Sequence, residues 1–222
     1  DWLKTRGVDD DFAYVVTPNA DHVVRLFDHA ENAEMRAAYR EADLCLLDSR
    51  VMALLARLRG ADLPVIPGSD LVEAFLRHHV EPGRRILLIG GAGESAELLR
   101  GLLPENEIVQ HCPPMGLLGN PQAMADCVRF VVENPGDYVL FAVGSPQQEL
   151  IARRVAQSGA ARGTGLCIGA AVDFVTGRAR RAPVWMRRLA LEWLHRLLSN
   201  PRRLWRRYLL HSPRIFWIVL TK

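Results

Sequence analysis

The stretch from Arg85 to Leu103, RILLIGGAGESAELLRGLL, decides the fold class of this 222-residue chain. Its first five residues form a short, mostly apolar run that is typical of a buried strand, and residues 94–103 repeat apolar side chains at helical spacing. Glycines and one alanine, residues 90–93, separate the two patterns. A strand that turns through glycines directly into a helix is typical of α/β proteins with a parallel sheet.

The same alternation extends on both sides of this stretch and predicts a Rossmann-like, largely parallel α/β sheet flanked by helices. The predicted strands are Ala13–Val16, Leu44–Leu47, Pro64–Ile66, Arg85–Ile89, Glu107–Cys112, Tyr138–Val143 and Gly165–Ile168. The predicted helices are Asp21–Ala30, Ala33–Arg40, Val51–Arg59, Leu71–His79, Glu94–Leu103, Gln122–Glu133 and Gln147–Ser158. After Gly177 the strand pattern stops, and helices interrupted before Pro183, Pro201 and Pro213 are predicted. We therefore predict an α/β catalytic core at residues 1–177 and a basic α-helical C-terminal appendage at residues 178–222.

The appendage differs from the core in charge. Residues 178–222 contain 12 basic residues and one acidic residue, a net charge of +11, whereas residues 1–177 contain 16 basic and 24 acidic residues, a net charge of −8. An apolar stripe at i+4 spacing on one helix is also predicted, formed by Trp185, Leu189, Trp193 and Leu197. Arginine beside tryptophan favours docking on an anionic membrane, where each basic residue contributes about 1 kcal/mol. A second possible role of the appendage is a helical cap packed on the core. Nucleic-acid binding is disfavoured, because a nucleic-acid-binding protein would not need the acidic α/β core.

The sequence disfavours a membrane span and a metal site. The most membrane-like stretch, residues 215–220, is six residues long, against about 20 for a spanning helix. The four cysteines lack close Cys-x-x-Cys spacing, and the seven histidines include no His-x-x-x-His pair. We predict no catalytic metal bound by the protein.

Polar residues follow four of the predicted strands. They are Thr17-Pro18-Asn19, Asp48-Ser49-Arg50, Gly90-Gly91-Ala92-Gly93 and Gly144-Ser145-Pro146-Gln147-Gln148-Glu149. Ligands of an open α/β sheet bind beyond the carboxyl ends of its strands, so we expect these residues to outline one crevice.

Asp48 is the candidate catalytic residue of this crevice. It follows the apolar residues 44–47, so its carboxylate would emerge in a partly desolvated pocket, where a raised pKa suits a general base. The alternative is that Asp48 only caps the helix that follows. Thr17 and Asn19 could hydrogen-bond a sugar or nucleotide, and Asn19 is also a candidate helix cap.

The glycines after the predicted strand Arg85–Ile89 predict a site for a diphosphate. Residues 91–96 match the dinucleotide fingerprint G-x-G-x-x-A, in which backbone amides and a helix N-terminus hold a pyrophosphate. The fingerprint also requires an acidic residue at the end of the next strand, which instead ends in Gln110-His111-Cys112. We therefore assign Gly90 and Gly91 to substrate binding, disfavour NAD and predict no cofactor.

The stretch Ser145-Pro146-Gln147-Gln148 predicts a capping box, with Ser145 as the cap and Gln148 reaching back to it. That structural role still leaves amides and the carboxylate of Glu149 in the crevice. These groups are suited to recognising a nucleobase or a sugar.

Taken together, these motifs resemble the bacterial WecG/TagA/CpsF glycosyltransferase family from about Val15 to Tyr208. The resemblance rests on ordered motifs, which are Thr17-Pro18-Asn19-Ala20, Gly68-Ser69-Asp70, Gly144-Ser145-Pro146-Gln147-Gln148-Glu149, Arg181-Ala182-Pro183 and Leu191-Glu192-Trp193-Leu194-His195-Arg196-Leu197. It implies a membrane-associated, metal-independent, inverting enzyme that moves a sugar from UDP to a polyprenyl-diphosphate-linked saccharide in cell-surface polysaccharide biosynthesis.

The resemblance also implies roles for residues. Its proposed base falls on Asp48, its polar pocket on Thr17 and Asn19, and its donor-binding glutamine on Gln148. Where many members have Asp-Gly, this chain has Asp48-Ser49-Arg50, which places a cation beside the carboxylate. The family's appendage contributes arginines to the diphosphate, and the candidates in this chain are Arg181, Arg203 and Arg207.

The resemblance implies a peripheral location on the cytoplasmic face of the cell membrane. The transferred sugar implied by the resemblance is N-acetylmannosamine, its uronic acid or glucose. The sequence does not determine whether the protein forms a homo-oligomer. The alternative function is a nucleotide- or dinucleotide-binding protein without transferase activity, which rests on the glycine fingerprint.

Overall fold

The computed structural model of the chain describes residues 2–28 and 33–221, apart from the side chains of Asp28, Arg203 and Leu220. The chain forms two compact units. The sheet unit comprises Asp1–Val16, Glu34–Cys45 and Gly68–Ala179, and the helical unit comprises Thr17–Ala33, Leu46–Pro67 and Arg180–Lys222. The functional boundary after Gly177 stays a prediction.

The sheet unit contains all the strands that the structure describes. The strands are β1 (Ala13–Val16), β2 (Leu44–Cys45), β3 (Arg85–Gly90), β4 (Glu107–His111), β5 (Tyr138–Ala142) and β6 (Thr164–Cys167). Its α-helices are α2 (Ala33–Arg40), α4 (Gly68–His78), α5 (Ser95–Leu102), α6 (Pro121–Glu133), α7 (Gln147–Gln157) and α8 (Ala171–Val175), with short 3₁₀ turns at Trp2–Thr5 and Leu117–Gly119.

The six strands pair in parallel in the order β2-β1-β6-β5-β3-β4. Strand β3 lies between β5 and the edge strand β4, and its Leu87 lies opposite Val109 of β4 and Val139 of β5. The predicted α/β class, with a parallel sheet flanked by helices, is confirmed.

The core of the sheet unit lies between the sheet and helices α6 and α7. Leu87, Val139 and Phe141 point toward this side and pack with buried side chains such as Cys127 of α6 and Ile151 of α7. Each fully buried aliphatic or aromatic side chain contributes about 1.5–3 kcal/mol to folding. The opposite face of the sheet is covered by α4, where Phe75 packs edge-on against Tyr138 with ring centroids 4.8 Å apart.

The helical unit is built from segments distant in sequence. Its helices are α1 (Ala20–Asp28), α3 (Arg50–Leu58), α9 (Val184–Arg188), α10 (Glu192–Ser199), α11 (Pro201–Trp205) and α12 (Arg214–Thr221), with a π-helical stretch at Arg206–His211. Val24 of α1, Leu55 of α3 and Ile215 of α12 form its buried cluster. Helix α12 therefore shares a core with α1 and α3.

The predicted strand at Pro64–Ile66 is wrong. The structure has only an isolated parallel bridge between Leu47 and Val65, supported by the hydrogen bond from Ile66 N to Leu47 O at 2.9 Å. Proline at positions 64 and 67 has no backbone N–H, which leaves this short segment too few donors for a ladder.

The predicted single stripe of Trp185, Leu189, Trp193 and Leu197 is also wrong. Helix α9 ends at Arg188 and α10 begins at Glu192, because Ala190 adopts a left-handed φ of 59° between them. Trp185 and Leu189 are more than half exposed, whereas Leu197 is buried. The predicted interruptions of the helices before Pro183, Pro201 and Pro213 are confirmed.

None of the helices described here is long and apolar enough to cross a membrane.

Glycine is required where β3 turns toward α5. Gly90 and Gly91 have φ values of 84° and 76°, in the left-handed region that side chains disfavour. A Cβ on Gly90 would lie 2.5 Å from Cγ1 of Val143 and 3.1 Å from the backbone of Ala142. The turn can therefore close against β5 only without a side chain at position 90.

We predict that Gly90→Ala lowers the free energy of unfolding by about 1–3 kcal/mol, from the left-handed backbone and the clash with Val143. Gly93→Ala is the matched control, since a Cβ there meets no described atom within 4 Å. Urea unfolding of both variants measures the difference, and equal midpoints would contradict the account of this turn.

Candidate active site

A cavity of about 360 Å³ lies within the helical unit. We call it the Asp48 cavity. It is lined by the start of α1, the start of α3, helix α10, the π-helical stretch and the start of α12. The residues that bring charge or aromatic surface to it are Asp21, Asp48, Arg50, Arg187, Glu192, Trp193, Arg196, Arg207, Tyr208 and Phe216.

Asp48 lines the cavity and does not cap the helix that follows it. Ser49 is the N-cap of α3, and its Oγ accepts a hydrogen bond from Met52 N at 3.3 Å. Asp48 itself is partly buried, and its backbone N donates to Pro18 O at 3.0 Å. The alternative in which Asp48 only caps the helix is therefore wrong.

Asn19 has the structural role that the sequence also allowed. Its Oδ1 accepts hydrogen bonds from the backbone N of Asp21 at 3.1 Å and of His22 at 3.3 Å, so it caps α1. It also lines the Asp48 cavity, where Nη2 of Arg207 donates to the same Oδ1 at 3.5 Å. One amide therefore begins the helix and touches the arginine of the appendage.

Arg207 is held in the cavity by a buried carboxylate. Asp21 is 4% exposed, and its Oδ2 lies 2.6 Å from Nη2 of Arg25 and 3.2 Å from Nε of Arg207. A buried carboxylate is strongly destabilising without cationic partners, and Asp21 has two of them. Asp21 therefore pairs with Nε of Arg207, while Asn19 accepts from its Nη2.

His22 is a neutral neighbour of this pair. Burial, together with the charges of Arg207 and Arg25, lowers the pKa of His22 to about 3. Its Nε2 lies 3.4 Å from Nδ2 of Asn19. An uncharged ring nitrogen can accept the amide proton, which would fix which way the Asn19 side chain faces.

Arg196 on α10 adds a second cation near Asp48. Its Nη2 donates to Glu192 Oε1 at 2.8 Å. Burial acts to lower the pKa of Arg196, but Glu192, Tyr208 and Asp48 together outweigh burial, and the pKa is raised. The arginine is therefore cationic, and the charge of Asp48 lies close enough to act on it.

Aromatic side chains form the other wall of the cavity. The rings of Trp193 and Tyr208 lie 6.1 Å apart with their planes tilted by 47°. The guanidinium carbon of Arg207 lies 5.7 Å from the centroid of the Tyr208 ring. A carboxylate, several arginines and aromatic surface together suit a ligand that combines a reactive hydroxyl, an anion and a flat or apolar face.

The sheet unit holds a separate polar cluster where β5 and β6 lead into helices. Gln148 is buried, its Oε1 accepts from Gly169 N at 2.9 Å, and its Nε2 donates to Glu149 Oε1 at 2.9 Å. Tyr39 OH donates to the same Glu149 oxygen at 3.1 Å. Burial raises the pKa of Glu149, and the hydrogen bonds offset this only in part.

The predicted capping box at Ser145 is wrong. Helix α7 has Pro146 at its N-cap position and no side-chain cap. Gln148 cannot reach back because its amide is engaged by Gly169 and Glu149.

The glycine loop after β3 has its own internal hydrogen bonds. Gly91 N donates to Ala142 O at 3.4 Å, and Ala92 N donates to Ser95 Oγ at 3.0 Å. Nε2 of Gln110 donates to the carbonyl oxygens of Gly90 and Ala92 at 2.9 and 2.8 Å. Two amides that a dinucleotide fingerprint would offer to a pyrophosphate are therefore already used.

Within the part of the chain that the structure describes, no three His, Cys, Asp or Glu side chains are grouped to hold a metal ion. Metal independence stays a prediction.

The family model for the glycosyl transferase WecG/TagA/CpsF family matches residues 1–222. The chain belongs to this family.

A curated relative is 29% identical to this glycosyltransferase over 213 residues, which cover 94% of this chain and 79% of the relative. It is the N-acetylglucosaminyldiphosphoundecaprenol N-acetyl-beta-D-mannosaminyltransferase of Bacillus spizizenii.

The predicted site residues of this glycosyltransferase fall in both units. The helical unit brings Asn19, Asp48, Arg50 and Arg207 to one cavity. Thr17 is buried and Arg181 partly buried, and neither is among the described residues that line the cavity. The side chain of Arg203 lies outside the described residues.

The sheet unit holds the other four predicted residues. Gly90 and Gly91 form the turn after β3, and Gln148 and Glu149 begin α7. Their roles in substrate binding, like that of Asp48 in catalysis, stay predictions.

Sequence reasoning missed several residues of the glycosyltransferase's cavity. Glu192, Trp193 and Arg196 belong to a motif that carried the family resemblance, and that motif was the available signal for them. Asp21 had no comparable signal, because an acidic residue in the first turn of a helix is ordinary.

We predict a pH-dependent effect of Glu149→Gln on stability. Because the folded-state pKa of Glu149 is raised, the native state holds its proton more tightly than the unfolded state, whose pKa is about 4.3. Native stability from this group is therefore lost as pH rises above the unfolded value, and the glutamine variant, which does not titrate, would not lose it. The stability of the variant relative to the native chain should rise from pH 5 to pH 8.

Urea midpoints measured across this pH range test the effect. Glu133→Gln is the control, since Glu133 is exposed on the same unit. A relative stability of Glu149→Gln that is flat or falls with pH would contradict a raised pKa.

Proposed function

We propose that this protein is an inverting, metal-independent glycosyltransferase that moves a sugar from a UDP-sugar to a saccharide linked through diphosphate to a polyprenyl lipid. Family membership establishes glycosyl transfer as the class of reaction. The proposed donor, acceptor and stereochemistry are supported by the Asp48 cavity, which is lined by a carboxylate and by arginines of the C-terminal segment.

Asp48 is the base in this proposal. Its carboxylate takes the proton from the acceptor hydroxyl while the hydroxyl oxygen forms a bond to the anomeric carbon of the donor. The bond between that carbon and the UDP oxygen breaks on the opposite side, so a single displacement inverts the anomeric centre. The capping of α3 by Ser49 in place of Asp48 supports this assignment.

Arginines provide the countercharge for the leaving diphosphate. Arg187, Arg196 and Arg207 line the cavity, and fixed guanidinium groups stabilise an anion that develops during the reaction. In this role they replace a divalent cation. The carboxylate of Asp21 aligns Arg207 before substrate arrives, which avoids reorganisation at the moment of transfer.

N-acetylmannosamine is the sugar we propose, with an N-acetylglucosaminyl diphosphate lipid as the acceptor. The relative from Bacillus spizizenii carries these groups in its name and aligns over 94% of this chain.

The membrane-docking role of the appendage is supported by its exposed surface. Trp185 and Trp217 are 59% and 73% exposed, and Leu209 and Leu210 are each more than half exposed. Apolar side chains beside arginines favour the interface of an anionic bilayer. We propose peripheral attachment at the cytoplasmic face, where the lipid-linked acceptor would be available.

The alternative of a dinucleotide-binding protein without transferase activity has less support. The amides of Gly91 and Ala92 are engaged within the sheet unit, and no acidic residue ends β4.

We predict that Asp48→Asn lowers the turnover number by about 10²–10⁴-fold, because the amide keeps the shape of the carboxylate but cannot accept the proton. UDP binding should change less than twofold. Product formation from UDP-N-acetylmannosamine and a lipid-linked acceptor, followed by mass spectrometry, gives the turnover, and calorimetry gives the UDP affinity.

Asp9→Asn, at an exposed position of the sheet unit, is the control for loss of one carboxylate. Turnover of Asp48→Asn within threefold of the native chain would remove Asp48 from the role of base.

A further inference from the structure

A second cavity, of about 540 Å³, lies in the helical unit beside the Asp48 cavity. We call it the α3 groove. It is formed by one face of α3, the segment 62–65 and the turn 188–190. Arg50 and Ala190 line both cavities, so the groove adjoins the proposed catalytic site.

The groove is positively charged. Arg50, Arg57 and Arg188 line it together with one acidic residue, Asp62. Asp62 Oδ1 pairs with Nε of Arg57 at 2.8 Å, and both side chains are largely exposed. Arg50 and Arg188 form no ion pair with any residue that the structure describes. Two guanidinium groups are thus available to an anion at the end of the groove that meets the Asp48 cavity.

The remaining wall of the groove is apolar and in contact with water. Leu54, Leu63 and Leu189 line it and are 56%, 48% and 64% exposed. On α3, positions 50, 53, 54 and 57 line the groove, whereas Leu55 packs into the core with Val24. The exposed leucines are therefore not part of the core of the helical unit.

The turn that places Arg188 and Leu189 has an unusual backbone. Ala190 has a φ of 59°, and it is the one residue other than glycine with a positive φ in the described part of the chain. A left-handed conformation is unfavourable for a residue with a side chain. Strained backbone conformations cluster at functional sites, and Ala190 lines both cavities.

We propose that the α3 groove binds the diphosphate and first isoprene units of the acceptor, with the diphosphate at Arg50 and Arg188 and the hydrocarbon along Leu54, Leu63 and Leu189. This inference rests on the proposed function. The acceptor hydroxyl would then reach Asp48 through the shared boundary at Arg50, two residues away in sequence.

The chemistry of the groove distinguishes the acceptor from the donor. A nucleoside diphosphate continues from its phosphates into a ribose and a base, which need hydrogen-bonding partners. The groove offers leucine side chains beyond its arginines, and burying hydrocarbon there removes exposed apolar surface from water. A diphosphate followed by a prenyl chain matches both parts.

Farnesyl diphosphate is the probe that tests the groove without requiring transfer. We predict that it binds the full chain more tightly than inorganic diphosphate does in calorimetry. Leu54→Ser should weaken its binding about tenfold and Arg188→Gln by a similar factor, from lost apolar burial and a lost charge-assisted contact.

Two matched variants control for general effects. Leu58→Ser removes a more exposed leucine of the same helix that does not line the groove, and Arg40→Gln removes an exposed arginine of the sheet unit. Both should bind farnesyl diphosphate within twofold of the native chain. Equal losses in Leu54→Ser and Leu58→Ser, or in Arg188→Gln and Arg40→Gln, would overturn the proposal.

A phospholipid also joins a phosphate to hydrocarbon, and sedimentation with phosphatidylglycerol vesicles separates the two ligands. Leu54→Ser, which lies outside the basic appendage, should leave vesicle binding within twofold. A tenfold loss of vesicle binding would make the groove a membrane-docking surface and overturn the proposal.

Failure of the proposed function is a different outcome. In that case the native chain transfers no sugar, but it still binds farnesyl diphosphate, and Leu54→Ser and Arg188→Gln still weaken that binding.

Discussion

The buried carboxylate of Asp21 is the interaction on which the helical unit depends. It lies in the first turn of α1 and is paired with Arg25 of the same helix and with Arg207 of the C-terminal segment. Since a buried charge without partners is strongly destabilising, the position of Arg207 follows from that of α1. Asn19, which begins α1, touches the same arginine. The C-terminal segment is thereby part of the cavity that contains Asp48.

The class of the fold could be predicted because local signals and long-range packing agree in the sheet unit. The apolar run at Arg85–Gly90, its glycine turn and the helix after it form one strand–turn–helix unit of the parallel sheet, as predicted. Predictions of individual helices and strands failed where single residues alter the backbone conformation or remove a hydrogen-bond donor. The left-handed Ala190 breaks a stripe that periodicity had assigned to one helix, and prolines reduce the segment Pro64–Ile66 to a single bridge.

The candidate site could be predicted only in part, because some of its residues follow strands and others are brought in by long-range packing. Asp48 and Asn19 follow strands, so the rule for open sheets pointed to them. Trp193 and Arg196 line the same cavity although they follow Asp48 by almost 150 residues in the sequence. Sequence periodicity carries no information about such long-range contacts. Composition identifies the appendage as basic and aromatic, whereas the structure shows which of its side chains line the Asp48 cavity and which are exposed to solvent.

The transfer rate of Arg207→Gln, compared with Arg206→Gln, tests most directly the claim that the C-terminal segment belongs to the catalytic cavity. Arg207 lines the cavity, whereas its neighbour lies over the ring of Trp205 at 5.4 Å from the centroid. With a short-chain acceptor in detergent, we expect kcat/KM for the UDP-sugar to fall about tenfold or more for Arg207→Gln, the value of one charge-assisted contact, and to stay within twofold for Arg206→Gln. Equal rates for the two variants would contradict this account.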